Sequence, residues 1–495
     1  MVEFFVVFIM LCLKRLRGLW YLVRGPDIID SAYLSSGGLP FTISTPSNDH
    51  FMITSIEHIT EVVNAPLGSL SLHAVAKEII QPKYTMLGFE WQDQRGVEGT
   101  GFVRALRSKL TAHLPVLLPD LQRIVQDAIA LELDTPQDDG LVHCRLFPMI
   151  KRTVTKVNCF TFFGESLAQN SEFTAAALEF PQKVILAAEI LRATPNFLRG
   201  TVARLATRRH HAVRTLMRYL EPVVEQRLAA RAESQGLGMT PARTTTRLEV
   251  TPVRTTTLAK DLPGLTWTSQ QWTTKRMVGE IIAVWFGSVH QLAMTTTYAI
   301  EDICLHDEYV QPLREEIHEH LIGPSPRGLA GMPLLDSFVR ESIRCTNSDA
   351  ITVRRKAITP FVFSDGLRVE QGDWVCVPQR AMMHDARRYE NPDRFDGFRF
   401  VRANKQLVTG DHSVRVPEPS PLGLTDVSID WPIWGLGNTA CPGRFYAATI
   451  LKLIMVCILE RYECRLEDAG GRRSRWWRSS VVPREGTVVL FRRRR

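Results

Sequence analysis

The sequence predicts a mainly α protein with a smaller β region, folded as a single large domain behind a short apolar N-terminal segment. Three observations carry this. Apolar residues recur at helical spacing over most of the chain, strand-like pieces are short and few, and no second core-sized unit with its own pattern follows any candidate linker. The 495 residues are 45% hydrophobic and 23% charged, too apolar for a disordered chain. With one strongly apolar run free of charge, a polytopic membrane protein is excluded as well. The net charge of +8 suits an acidic partner or an anionic membrane. It forms no basic stripe with groove-reading motifs, so no nucleic-acid partner is expected.

Elements follow in order. LPFTIST and HFMITS, around residues 39–55, are β-like and separated by Pro46-Ser47-Asn48-Asp49; Ile56–Asn64 is a short helix stopped by Pro66. Helical patterns cover 101–130, 148–168, 174–195, 203–232 and 269–305. Between Glu233 and Gly264 the chain turns rich in Thr, Arg, Pro and Gly and loses periodicity, as an exposed loop does. Helices resume at Tyr309–Leu321 and Met332–Arg344, strands at Ile351–Arg355, Phe361–Phe363 and Trp374–Pro378. An aperiodic stretch of about 380–440 leads to a last strong helix, Arg444–Tyr462, and a strand, Gly486–Arg492. There is no internal repeat and no dinucleotide-binding GxGxxG.

The N-terminal run Phe4–Leu13 is continuously apolar but shorter than the ~20 residues of a standard span. No basic region precedes it and no small-residue cleavage site follows, so a signal peptide fits poorly. Residues 1–25 are expected to form a short membrane anchor or interfacial helix, and 26–495 the main domain. Lys14, Arg15 and Arg17 would keep the main body on the cytoplasmic side, and Trp20 and Tyr21 suit the interface. The nine cysteines are odd in number, scattered, and without a CxxC pair, which argues against a disulfide framework and a zinc ribbon.

One cysteine stands apart. In Trp434-Gly435-Leu436-Gly437-Asn438-Thr439-Ala440-Cys441-Pro442-Gly443-Arg444, three glycines allow positive φ and close approach to a flat ligand. Pro442 suits a helix's first turn. The helix from Arg444 points its N-terminus back at Cys441, where free N–H groups and the helix dipole stabilise a thiolate. A thiolate so held is a good axial ligand for heme iron.

This loop resembles the FxxGxxxCxG heme loop of the cytochrome P450 family, with Trp434 in place of Phe, and CPGRFYA is close to fungal members. Further elements fall in the family's order. Glu341-Ser342-Ile343-Arg344 matches ExxR, and Asn391–Phe400 resembles PxxFxPxRF, with Gly397 where proline is usual and Arg399 placed to join Glu341 and Arg344. Ile351–Lys356, Asp365-Gly366 and His384-Asp385 fall at the family's spacings. The resemblance covers about 26–495. It implies the cytochrome P450 fold, heme b (iron protoporphyrin IX) with Cys441 as iron ligand, and Arg107 and Arg355 as propionate contacts. The family's usual basic residue two before the cysteine is replaced by Thr439.

The resemblance also implies a distal helix carrying (A/G)GxxT with an acid before the threonine. Here Gly287 keeps the small slot, His290 stands for the acid and Gln291 for the threonine. Imidazole titrates near neutrality when unperturbed, so His290 suits proton relay through a water held by Gln291 or Ser288, and His290 and Gln291 are the candidate catalytic pair. The expected function is that of a heme-thiolate monooxygenase. It would insert one oxygen atom from O2 into a small lipophilic substrate, such as a terpenoid or polyketide intermediate of fungal secondary metabolism. Electrons would come from an NADPH-dependent reductase, with the protein at the endoplasmic reticulum membrane facing the cytoplasm. Two rivals differ in prediction: a heme-dependent isomerase or dehydratase needs neither oxygen nor reductase, and a non-catalytic heme-binding protein holds a heme insensitive to substrate.

Overall fold

The structure is a computed structural model and describes residues 2–89, 105–236, 273–321, 328–409 and 423–494. The Thr- and Arg-rich loop expected from Glu233 lies outside the described residues from 237 onward. Its first residues end the helix His211–Gly236. The described residues are mainly helical, with small sheets. They divide into two compact units, the first comprising Met1–Val75, Ala130–Ile150 and Ala293–Arg495, the second Ala76–Ile129 and Lys151–Leu292.

The first unit holds the sheets. β1 (Phe41–Ser44), β2 (Asp49–Met52), β3 (Leu70–Ser71), β5 (Thr352–Ala357) and β8 (Trp374–Val377) form one sheet in the order β1-β2-β8-β5-β3. β2 and β8 are parallel and the other pairs antiparallel. Alternate residues of β5 are buried, the period-2 pattern of a half-covered strand. Its register against β8 shifts between Thr352 and Arg355, where Val353 takes φ 49°. Tyr33, Ile53, Ile59, Val62, Val375 and Leu436 pack together against this sheet, which ties the segment before Cys441 to the core. β4 (Val142–Arg145), β9 (Tyr462–Leu466) and β12 (Val488–Arg493) make a second sheet, and β10 (Ser474–Trp477) pairs with β11 (Ser480–Pro483). The helix Arg444–Arg461 is buried nearly all round over its last three turns, which marks a core helix.

The N-terminal helix spans Val2–Ser36, kinked at Arg24 (φ −131°) just before Pro26. Trp20 is 59% exposed, as an interfacial residue would be, but Tyr21 is 1% exposed, its ring T-shaped against His50, which stacks on Trp374. Tyr21 is therefore a core residue of the first unit, contrary to the expectation that both rings suit a membrane interface. Arg478 N–H donates to the Leu22 carbonyl, and a Cβ at Gly25 would collide with the Arg478 carbonyl oxygen.

The second unit is helical. The expected helix 148–168 runs Leu146–Phe163 and breaks at Gly164 (φ 93°). The next, Ser171–Arg192, starts where Asn170 caps the Phe173 amide. The pattern over 203–232 resolves into Arg199–Ala206 and His211–Gly236, parted by three left-handed residues, Arg208, Arg209 and His210. Trp285 is fully buried, packs against Phe162 and Phe163, and donates its indole N–H to the Ala177 carbonyl at 2.8 Å. It sits on the long helix Thr274–Leu305. That helix is apolar enough to cross a membrane by composition, but 61% of its apolar window is buried, as in the core helix of a globular protein.

Candidate functional site

The helix Pro333–Cys345 starts on Pro333, whose missing N–H costs nothing at a first turn. It buries Glu341 and Arg344 completely, and their i,i+3 spacing puts both on one face. Arg344 donates Nε and Nη2 to the two Glu341 oxygens at 2.8 Å each, a bidentate pair. Arg399, also buried, brings Nε to 3.2 Å from both oxygens, and the Asp396 amide donates to Oε1 at 3.0 Å. Two cations thus share one carboxylate. Their remaining N–H groups go to backbone carbonyls of Met383, Pro392 and Arg394 from Arg344, and of Glu390, Asn391 and Arg394 from Arg399. Burial pushes the Arg344 guanidinium down, but its bonds to Glu341 outweigh that and hold it above the ordinary arginine value. The network fixes the path of 383–399, the stretch that the sequence left aperiodic.

That stretch leads to the cysteine loop. Trp434 ends a short 3-10 turn, Gly435 (φ 75°) reverses the chain, and Gly437 (φ 58°) opens a second 3-10 turn. Both glycines need left-handed backbone that a side chain resists. Gly437 is also a close approach, since a Cβ there would meet Val63 Cγ1 at 2.5 Å. The Cys441 amide donates to the Trp434 carbonyl at 2.6 Å, closing the loop. The indole N–H of Trp434 donates to the Leu424 carbonyl at 2.8 Å, a bond that the family's phenylalanine has no group to make. The helix Arg444–Arg461 begins three residues after the part-exposed Cys441, so its N-terminal turn follows directly on that residue. Arg444 clamps the turn by donating to the carbonyls of Thr425 and Cys441.

Arg355 projects from β5 and is 3% exposed. Nη1 donates to the Arg354 carbonyl at 2.9 Å, and Nη2 to the Thr439 hydroxyl at 2.6 Å. The Thr439 hydroxyl itself donates to the Leu436 carbonyl. Among the described residues no carboxylate lies within ion-pair distance of Arg355, and burial pushes its guanidinium down to about 10. A desolvated cation without a counter-charge is costly, and its placement against the residue two before Cys441 suits an anionic group of a ligand beside that loop. The residues present therefore fit a heme carrying carboxylates. Arg107 lies in the second unit, exposed in a turn of π-helix, Ala105–Leu110.

His290 and Gln291 lie on the long helix. Gln291 and Gly287 are exposed, and His290, Ser288, Val284 and Thr295 are part-exposed, on a helix whose other residues from Met277 to Ile303 are buried apart from Phe286. Positions 284, 287, 288, 291 and 295 follow the i, i+3, i+4 rule, so they mark one open face. A Cβ at Gly287 would meet nothing within 4 Å. The Ser288 hydroxyl donates to the Trp285 carbonyl at 2.8 Å, a local bond within the helix. Asn158, fully buried, donates its side-chain amide to the Ser288 carbonyl at 2.9 Å. Nothing in the sequence singled out Asn158.

A cysteine loop reached by a braced stretch, with a buried arginine hydrogen-bonded at its edge, is the arrangement of a heme-thiolate class of protein. The sequence profile of the family "Cytochrome P450" matches residues 101–491, and the chain belongs to that family. It is 27% identical over 439 residues to "Cytochrome P450 monooxygenase 151" of Postia placenta, covering 88% of this chain and 82% of that protein. It is 27% identical over 479 residues to "Cytochrome P450 monooxygenase ptmQ" of Penicillium ochrochloron, covering 94% and 87%. Among solved structures, "Crystal structure of cytochrome P450DA heme domain" superposes with a TM-score of 0.66 at 12% identity, over 95% of this chain and 93% of that one. "Retinoic acid bound cyanobacterial CYP120A1" does so with 0.64 at 15%, over 94% and 93%. The protein is an oxidoreductase of the fungal cytochrome P450 monooxygenase type.

Proposed function

We propose that this chain binds heme b through the Cys441 thiolate and inserts one atom of O2 into a small lipophilic substrate, a terpenoid or polyketide intermediate of fungal secondary metabolism. The observation that carries the site assignment is the buried, carboxylate-free Arg355 bonded to Thr439 two residues before Cys441. When bound, the heme supplies a redox iron, and thiolate ligation favours cleavage of the O–O bond.

The chain's own residues do the rest. The Cys441 sulfur is held at a helix N-terminus, which favours its charged form. Arg355 takes one propionate in place of the basic residue that Thr439 replaces, and Arg107 takes the other. On the long helix, His290 holds a proton at an imidazole nitrogen and passes it through a water fixed by the Gln291 carboxamide. Asn158 holds the helix backbone beside them by its bond to the Ser288 carbonyl. Electrons come from NADPH through a separate reductase that docks on basic residues of the cysteine side, Arg444 among them. The protein is held at the endoplasmic reticulum membrane by residues 1–25, with 26–495 facing the cytoplasm. The helical backbone that runs from Val2 to the kink at Arg24 supports that attachment.

The test has two arms. The reduced protein with carbon monoxide should absorb near 450 nm, and Cys441→Ser should lose that band. Product formation should require both oxygen and NADPH with reductase. A 450 nm band in Cys441→Ala refutes the ligand assignment, and turnover without oxygen refutes the monooxygenase reading.

A further inference from the structure

Two cysteines outside the cysteine loop meet in the first unit. Cys304 stands in the last turn of the helix Thr274–Leu305, and Cys464 in β9, where it pairs with Phe491 of β12. Both belong to the part of that unit that runs from Ala293 to Arg495. The Cys304 thiol donates a hydrogen bond to the Cys464 sulfur. Both are free thiols and both are part-exposed, so a molecule as small as a peroxide reaches them.

The two thiols are unequal. The hydrogen bond from Cys304 holds the Cys464 thiol below its ordinary value against burial, helped by the Arg314 guanidinium and opposed by Glu463. Arg314 is fixed in place by donating Nε to the Leu459 carbonyl at 2.8 Å and Nη2 to the Tyr462 carbonyl at 3.1 Å. The same thiol–thiol bond pushes the Cys304 thiol well up, and burial, the Cys464 sulfur and the Glu301 and Asp302 carboxyls add to it, so Cys304 keeps its proton. A lowered thiol beside one that stays protonated is the arrangement of a redox-sensing pair, in which the first attacks the oxidant and the second resolves the product. Other thiols of the chain lack it. Burial pushes Cys345 and Cys376 up to about 12 and Cys457 up to about 11, which keeps them protonated and inert.

We propose that Cys304 and Cys464 form a modification site, in which Cys464 attacks hydrogen peroxide and Cys304 closes a reversible disulfide. The Cys464 sulfur takes one peroxide oxygen as the O–O bond breaks; the other oxygen leaves as water with the thiol's proton, and the sulfur becomes a sulfenic acid. The Cys304 sulfur then forms the S–S bond, and its proton leaves with the displaced hydroxyl as a second water. The two thiols together lose two electrons and the peroxide gains them. Small thiols reverse the bond by exchange, so it is transient in a reducing compartment. The bond ties the end of the helix that carries His290 and Gln291 to the strand that follows the helix Arg444–Arg461. It closes a loop of about 160 residues, which should raise Tm by ~5 °C for a chain unfolding as one unit. Uncoupled turnover would release such peroxide; only that source rests on the oxygen chemistry proposed above, and the thiol pair does not.

The test uses the full heme-loaded chain, reduced, freed of reductant and treated with a stoichiometric amount of hydrogen peroxide. Remaining thiols are then alkylated and tryptic peptides read by mass spectrometry. Trypsin releases Met277–Arg314 and Tyr462–Arg465, each with one cysteine. The two should appear joined, lighter by two hydrogens than their sum, in a protein whose Tm has risen by ~5 °C, and dithiothreitol should reverse both changes. With dimedone present to trap sulfenic acid, Cys304→Ser should be labelled at Cys464, and Cys464→Ser should stay unlabelled at Cys304. The comparison of oxidised with reduced parent needs no variant, so a variant that folds poorly leaves the result intact. Separate recovery of the two alkylated peptides after peroxide, a link from either cysteine to a different one, a link that forms only in denaturant, or the reverse dimedone pattern overturns the proposal.

Discussion

Replacing Glu341 with alanine removes the one carboxylate shared by two buried guanidinium groups. Glu341 accepts from Arg344, Arg399 and the Asp396 amide, and neither Glu341 nor Arg344 has accessible surface. Arg399 is nearly as buried. Breaking a buried ion pair by removing one partner costs ~3–5 kcal/mol, because the remaining charge stays desolvated. Unfolding entropy is ~2 cal/mol/K per residue, so for a chain of this size unfolding as one unit the loss is a fall of ~3–5 °C in Tm. That shift alone leaves the protein folded at room temperature. The larger effect should be local, since the freed arginines no longer pin the carbonyls of 383–394. The assay is Tm by circular dichroism together with heme content of the purified protein. Glu341→Ala should lose most of its heme, and Glu341→Gln, which keeps one acceptor oxygen, should fall between. Parent-like Tm and heme content in Glu341→Ala would refute the view that this network organises the approach to Cys441.

Three further outcomes follow from the structure. Burial pushes the Glu301 carboxyl up to about 8, against the opposing pull of Arg473; stability should therefore fall as pH rises from about 5 toward 8, and Glu301→Gln should flatten that slope by up to roughly 1.4 kcal/mol per pH unit, read from denaturant unfolding across the range. Deleting residues 2–17 should shift the protein from the microsomal pellet toward the soluble fraction with Tm unchanged, whereas deleting 2–24 should also destabilise it by ~3–5 kcal/mol through loss of the buried Tyr21 ring; equal Tm in the two truncations would contradict that role. Replacing His290 and Gln291 with alanine should leave substrate binding intact and divert NADPH into hydrogen peroxide, with product per NADPH falling on the scale of ~10²–10⁴ expected for general acid catalysis; parent-like coupling would make both residues structural.

Much of this was readable from the chain because spacing encodes it. Glu341 and Arg344 lie three apart on a helix, and Arg399 follows a recognisable segment, so the network could be anticipated; the structure closes it at 2.8–3.2 Å. The carbonyls and the Asp396 amide that complete it were not legible, since backbone groups carry no residue identity. Asn158 was hidden for a related reason, because it meets a carbonyl 130 residues away. The helix Arg399–Thr409 was folded into an aperiodic stretch, its three turns being too short to establish a period. The place of Tyr21 is not legible in the sequence, because an aromatic beside basic residues looks the same whether it meets lipid or, as here, a histidine contributed by a strand. Thr439 looked like a lost charge, and only the fold shows that Arg355 reaches it.

The ratio of two arginines to one carboxylate also bears on the order of assembly. Glu341 and Arg344 are three residues apart, so their pair forms as soon as that helix does, at almost no loop-closure cost. Arg399 is 58 positions from Glu341 and contributes only when the intervening β5–β8 region has taken its path. Until then the helix presents a carboxylate with open lone pairs, and the arriving arginine fills them together with the carbonyls of its own segment. The late contact is thus a checkpoint on chain tracing. A lysine at 399 retains the charge but lacks the planar fork to reach Glu341 and three carbonyls together, so Arg399→Lys should speed unfolding more than it slows refolding, as expected of a contact made late.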